Sequence, residues 1–203
     1  MRTAPVTVGL LSALLLAAAS AAAISQEDRF QDPRLRRLWQ GWVDDTIEES
    51  RRTGGAAVIV DKLGRRGLLI AGGKVVDQYT VELGHNGLSD KLYEGDRATP
   101  EGRYRVTSKR DRGQTRFHRA LMLDYPTEED RREHAEALRR GLVPRGRGPG
   151  GLIEIHGHGG RGIDWTDGCV ALRNADMDRL FAAVEVGTPV TIAGLARFPG
   201  DPR

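Results

Sequence analysis

The hydrophobic pattern of the chain changes period at Gly54-Gly55, and that change narrows the fold most. Upstream, Leu35, Leu38, Trp39 and Trp42 fall at i, i+3, i+4 and i+7, which predicts one amphipathic helix over 33–52. Downstream the runs are short and strand-like. Ala56 to Asp61 is one, Gly67 to Ala71 a second, and Gly72-Gly73 signals a hairpin into an alternating run from Lys74 to Leu83. Breakers crowd 84–102. Further strands are expected over Arg103–Lys109, Arg116–Asp124, Gly151–Ile155 and Thr188–Ile192. One helix should follow a Thr127 cap, with Glu128, Glu129 and Asp130 in its first turn and Gly141 at its end. Asn174 is expected to cap a last helix whose Met177, Leu180, Phe181 and Val184 share a face. Strands outnumber helices and connections are short. The fold class is therefore mainly β (α+β), a β-sandwich or barrel-like sheet with two or three helices.

The first 23 residues stand apart. Arg2 precedes an apolar run from Val6 to Ala19, and small residues crowd Ala17 to Ala23. This is the layout of a secretory signal peptide cut after Ala21 or Ala23. The competing reading is a retained anchor, for which the apolar run is short. The expected organisation is a signal peptide at 1–23, a helical extension at 24–55, the main domain at 56–194 and a tail at 195–203. The expected location is the periplasm, with membrane contact only during export. Net charge is +3, and removing Arg2 leaves 30 basic residues against 28 acidic ones. That balance gives no case for nucleic acid as a partner.

Export makes the single cysteine informative, because Cys169 has no disulfide partner within the chain. A lone thiol in an oxidising compartment is open to oxidation. It is either a small buried hydrophobe or a thiol with a task. Its neighbours bear on the choice. Leu152 to Ile155 delivers His156 at a strand end, a Gly-rich run 157–162 follows, and then comes Thr166-Asp167-Gly168-Cys169. A histidine can take the thiol proton. Gly168 permits a sharp turn, the N–H groups of Gly168 and Cys169 can face an oxyanion, and Thr166 can hold the turn. His158 is a second candidate base or an orienter of His156; the strand-end position favours His156. A zinc-binding module is the alternative of another class, with His156, His158, Cys169 and Asp164 or Asp167 as ligands, although one cysteine makes that set incomplete. No metal or other cofactor is expected.

The run His156-Gly157…Thr166-x-Gly168-Cys169-Val170 resembles the signature of the L,D-transpeptidase (YkuD) catalytic domain. Gly95-Asp96-x-Ala98-Thr99-Pro100-Glu101-Gly102-x-Tyr104 is similar to a second segment of that family. Tyr125-Pro126, a helix and Gly-Gly-x-Ile-x-Ile-His-Gly resemble its shorter murein transpeptidase branch, and Asn174-x-Asp176 with Gly187-Thr188-Pro189-Val190 resemble its closing helix and strand. The resemblance runs over about residues 56–193 in the family's order.

The resemblance implies that Cys169 attacks the carbonyl of the third residue of a peptidoglycan stem peptide, with His156 as base. An acceptor amine then resolves the thioester. The acceptor is a second stem, or an outer-membrane protein or lipoprotein. Water as acceptor would make the protein a carboxypeptidase, endopeptidase or amidase. A non-enzymatic wall-binding module is the remaining class. Many members carry Arg two positions after the cysteine; here that position is Ala171 and the nearest arginine is Arg173. Arg173, Trp165, Tyr125 and His118 are the expected substrate-binding residues, and Trp165 can equally pack in the core. Arg103, Arg105, Lys109, Arg110, Arg112, Arg116 and Arg119 crowd one region. They form either an attractive surface for anionic wall polymer or substrate carboxylates, or the solvated face of a hairpin. His85 and His134 are expected at the surface.

Overall fold

The computed structural model describes residues 26–198, so the expected signal segment and the end of the expected tail lie outside the described residues. Within that range no helix is long and apolar enough to cross a membrane. A short helix α1 (Gln26–Gln31) leads into α2 (Pro33–Thr53). Asp32 caps α2 by accepting the Arg34 N–H, Pro33 takes the first turn where no N–H is needed, and Gly54 stops the helix at φ 70°. The buried face of α2 is Trp39, Trp42, Val43, Thr46 and Ser50. It is rotated from the stripe expected in the sequence, since Leu38 is 45% exposed.

Eight strands form a single sheet: β1 (Ala56–Asp61), β2 (Arg66–Ala71), β3 (Lys74–Thr80), β4 (Gly102–Arg110), β5 (Ala120–Leu123), β6 (Glu154–His156), β7 (Val170–Ala171) and β8 (Pro189–Ala193). Their order is β3-β2-β1-β8-β4-β5-β6-β7. The β1–β8 and β6–β7 pairs are parallel and the others antiparallel. Past β3, Glu82 exchanges both backbone bonds with Ala171 of β7, at 2.9 and 2.8 Å. The stretch after β3 therefore bridges to β7, and the sheet curls into the barrel-like alternative of the expected fold class, with β3 itself paired only to β2.

Strand β1 is buried on both faces. Val58 and Val60 enter a core with Tyr104, Leu121, Ile155, Val170 and Leu180, whereas Ala57 and Ile59 pack with Trp39, Trp42 and Val43 of α2. Burial on both sides is why this stretch reads as an unbroken apolar run. Helix α3 (Glu128–Arg139) starts with the expected Thr127 cap, reciprocated by Asp130.

Several expectations need correction. Helices number four among the described residues, since α1 joins α2, α3 and α4 (Asn174–Ala183). Residues 111–119 form a loop before β5, and β6 starts only at Glu154. Asn174 opens α4 but does not cap it: Arg173 holds the N-cap position, and the Asn174 side-chain Oδ1 instead accepts the His158 N–H at 2.8 Å. His134 is buried and bonded to Leu92 O at 2.7 Å, while His85 is exposed as expected.

Candidate active site

Parallel pairing of β6 and β7 sets Ile155 opposite Val170 and His156 opposite Ala171. Ile155 and Val170 point into the core. Side chains alternate along a strand, so Glu154, His156 and Ala171 share the other face, and Cys169, two residues before Ala171, falls in line with them. Sheet register thus brings a thiol, an imidazole and a carboxyl to one surface.

The turn before Cys169 is tightly made. Gly168 has φ 135°, and a Cβ there would sit 2.8 Å from Ala98 O, so glycine is required on both counts. Buried Thr166 anchors to Leu83 O through its N–H at 3.1 Å. Its hydroxyl donates to Cys169 O at 2.7 Å and accepts the Gly168 N–H at 3.2 Å. The turn-support role expected of Thr166 has this geometry. The Gly168 N–H, expected at an oxyanion, is instead committed to Thr166 in this conformation.

His156 is fully buried. Its Nδ1 lies 2.6 Å from Gly157 O, which fixes Nδ1 as the protonated nitrogen, since a carbonyl only accepts. Nε2 then carries a lone pair, and it is buried without a hydrogen-bond partner among the described residues. Phe117 stacks on the imidazole with centroids 3.6 Å apart, and Trp165 meets it edge-on at 5.7 Å. Burial pushes the imidazole down to about 4, against the pull of the Gly157 carbonyl.

Cys169 Sγ lies 3.6 Å from Leu152 O. Burial pushes the thiol up to about 11; the Glu154 carboxylate adds to the rise, and Arg116 and Lys91 act against it. Both displacements favour a thiol beside a neutral imidazole over a preformed thiolate–imidazolium pair at neutral pH. Glu154, itself held upward by burial, meets Arg110 Nη1 at 3.3 Å.

A cavity of about 880 Å³ is lined by Cys169, His156, Phe117, Trp165 and Thr166, with Lys91, Arg97, Arg116 and Arg131 as its cationic residues. Trp165 is the one expected substrate-binding residue on its wall, held by Nε1 donating to Glu82 Oε2 at 2.8 Å. The others lie elsewhere. Tyr125 is buried and donates to Pro149 O at 2.8 Å, so it anchors a loop whose residues line the cavity. His118 Nε2 is 2.7 Å from Asp178 Oδ1, clamping the 111–119 loop to α4. Arg173 is paired with Asp176 at 2.9 Å, outside the cavity. His158 is exposed, at φ 67°, and also outside it, which separates it from His156 as a base.

The zinc alternative fails on placement. Asp164 is bound to Arg65 and to the Leu83 N–H. Among the described residues no group of three or more His, Cys, Asp or Glu side chains is placed to hold a metal. The basic cluster is mostly paired: Arg103 with Asp45, Arg105 with Glu49, Lys109 with Glu185, Arg110 with Glu154, Arg112 with Asp178 and Arg119 with Asp111. The sequence reading missed Phe117 as a site residue. The signal was faint, one aromatic inside a run expected to be strand.

Residues 55–192 match the family model described as YkuD, L,D-transpeptidase catalytic domain. The chain belongs to the L,D-transpeptidase catalytic domain family. Solved structures share the fold. The helical cell shape determining protein Pgp2 of Campylobacter jejuni is 26% identical, with a TM-score of 0.50 over 68% of this chain and 47% of that one. Bd1075 of Bdellovibrio bacteriovorus is 21% identical, with a TM-score of 0.51 over 71% of this chain and 50% of that one. The L,D-transpeptidase-type chain described here thus spans about half the length of these two proteins. Comparison with curated protein sequences finds no significant match.

Proposed function

We propose that this L,D-transpeptidase-family domain is an exported cysteine acyltransferase of peptidoglycan stem peptides, working through a thioester on Cys169. One observation carries the reading. His156 turns Nδ1 to the Gly157 carbonyl and leaves Nε2 unpartnered among the described residues, on the same sheet face and in the same cavity as the chain's single thiol. A buried nitrogen with nothing to accept costs free energy, and a proton donor arriving with chemistry is a reason to retain it.

The steps follow from that state. Sγ attacks the carbonyl carbon of the third stem residue while its proton passes to His156 Nε2. The oxyanion falls to the Cys169 N–H, since the Gly168 N–H is held by Thr166. The C–N bond breaks, and the leaving amine takes the proton back from Nε2. An acceptor amine then attacks the thioester, gives up its proton to Nε2, and releases the thiol. The acceptor is a second stem or the amine of an outer-membrane protein or lipoprotein; water in its place would give a hydrolase. The link between Pgp2 and cell shape supports a wall substrate. Residues 1–23 read as an export signal, which would place the enzyme in the periplasm with that substrate.

The test is release of D-alanine from tetrapeptide muropeptides with and without an acceptor amine. Wild type should release it and Cys169→Ala should not; release by the variant overturns the mechanism. A product joined to the acceptor means transfer, and tripeptide alone means hydrolysis. A carbapenem should add one equivalent of mass to wild type and none to Cys169→Ala.

A further inference from the structure

Ala171 stands where many members of the resembled family carry arginine, and Arg173 is bound to Asp176 outside the cavity. Four cationic side chains line the cavity. Lys91 is 3% exposed and tied to Asp96 at 2.8 Å, and Arg97 lies 3.5 Å from Asp167. Arg131, on α3, makes no ion pair among the described residues, but no aromatic ring of the site braces it. Arg116 differs from all three.

Every other member of the basic cluster has a carboxylate within salt-bridge distance. Arg116 makes no ion pair among the described residues. It is exposed, its guanidinium carbon lies 5.0 Å from the centroid of Phe117, and Phe117 is the ring stacked on His156. It is also the one cation named as acting on Cys169, His156 and Glu154 alike. An unpaired guanidinium braced on an aromatic face, beside the reacting thiol, is a ready partner for a carboxylate.

We propose that Arg116 is a substrate-binding residue that pairs with the free carboxylate of the leaving residue of the donor peptide. The inference rests on the acyl-transfer reading of Cys169. It makes the enzyme selective for donors whose scissile bond is one residue from a free C-terminus. A donor ending in a carboxamide presents no charge to Arg116.

Two measurements test it. The first compares a tetrapeptide donor with its C-terminal carboxamide. Wild type should favour the acid by roughly ten- to a hundredfold, expressed mainly in KM, as a charged hydrogen bond implies. Arg116→Gln should lose most of that preference and Arg116→Lys should keep part of it. The second compares alkylation of Cys169 by iodoacetate and by iodoacetamide, and needs no turnover. Arg116→Gln should lower the iodoacetate-to-iodoacetamide rate ratio about fivefold, as loss of one nearby charge implies. Arg132→Gln, which removes the same charge from exposed α3, should not change it. An unchanged ratio, or an unchanged acid preference, in Arg116→Gln overturns the proposal. A wild-type protein that cleaves neither donor sinks the acyl-transfer reading instead, while the alkylation ratio still decides whether Arg116 supplies the charge.

Discussion

Phe117 lies flat on the His156 imidazole, 3.6 Å between centroids and 8° from parallel. The ring shuts water away from one face of the base and fixes its plane, while the Gly157 carbonyl fixes its tautomer. Burial is the main reason the imidazole sits near 4 and not at its ordinary 6.5. Phe117→Ala admits water to that face. The acid limb of the pH–rate profile should then move upward from about 4 towards 6.5, because solvation favours imidazolium. At neutral pH the rate should fall about tenfold through lost orientation, near 1.4 kcal/mol of barrier. Phe117→Tyr keeps the stack and should leave the limb in place. An unmoved limb in Phe117→Ala would show that the ring does not set the proton affinity of His156.

A thiol pushed up to about 11 stays protonated across the neutral range. Alkylation of Cys169 by iodoacetamide should therefore rise steadily above pH 8, without a plateau at the 9.0 of an ordinary cysteine. Burial is the largest cause, and the Glu154 carboxylate adds to it. Glu154→Gln removes a negative charge that disfavours thiolate, so its alkylation midpoint should fall below that of wild type. A plateau at or below neutral pH in wild type would mean a preformed thiolate, and the neutral-pair mechanism would be wrong.

The division of labour between sequence and structure is visible in particular residues. Ala56–Asp61, the Gly72-Gly73 hairpin and the Thr127 cap were readable because local geometry dictates them. Cys169, His156 and Thr166 were readable because strand end, glycine turn and thiol lie within fourteen residues. Trp165 was placed on the cavity for the same reason. Phe117 was not singled out, and Arg116 only as one of seven clustered basic residues, because a loop before β5 has no period to betray which side chains it turns to the cavity. His118, Tyr125 and Arg173, expected at the substrate, do not line the cavity, for a related reason. Their partners, Asp178, Pro149 and Asp176, consume the polar atoms that would have faced a ligand.

Glu101 joins the N-terminal helices to the domain. Its Oε1 accepts from Lys62 Nζ at 2.9 Å and Arg29 Nη1 at 2.7 Å, and its Oε2 from Trp39 Nε1 at 2.8 Å. Lys62 is wholly buried. Glu101→Ala takes away the carboxylate bonded to that ammonium, leaving it the Ser89 and Thr99 carbonyls as hydrogen-bond partners, and should cost about 3–5 kcal/mol in urea unfolding. Lys62→Met leaves Glu101 with Arg29 and Trp39 and should cost less. Burial alone would raise the Glu101 carboxyl, but Lys62 and Arg29 outweigh it and hold it below 4.5. Its contribution is therefore present above that value and lost as pH falls through the lower folded value. Glu101→Gln should flatten the acid side of the stability profile. An equally steep acid side in that variant would remove Glu101 from the account.

Thr166 spends one hydroxyl on both ends of the nucleophile turn, donating to Cys169 O and accepting from Gly168 N–H. Thr166→Val keeps the shape and leaves both backbone groups without that partner, a cost of about 1–3 kcal/mol for each group that stays buried. The same loss frees the Gly168 N–H. Activity then separates two roles for that N–H. If the turn must be held, kcat should fall at least tenfold in Thr166→Val, and Thr166→Ser, which keeps the hydroxyl, should recover most of it. If the Gly168 N–H is needed at the oxyanion, releasing it should instead leave kcat unchanged or raise it. The brace predicts the first result, because a sulfur displaced by even part of an ångström loses its line to the carbonyl carbon. Gly168→Ala provides the control: φ 135° and a 2.8 Å approach to Ala98 O leave no room for a Cβ, so it should lose activity whichever role the N–H plays.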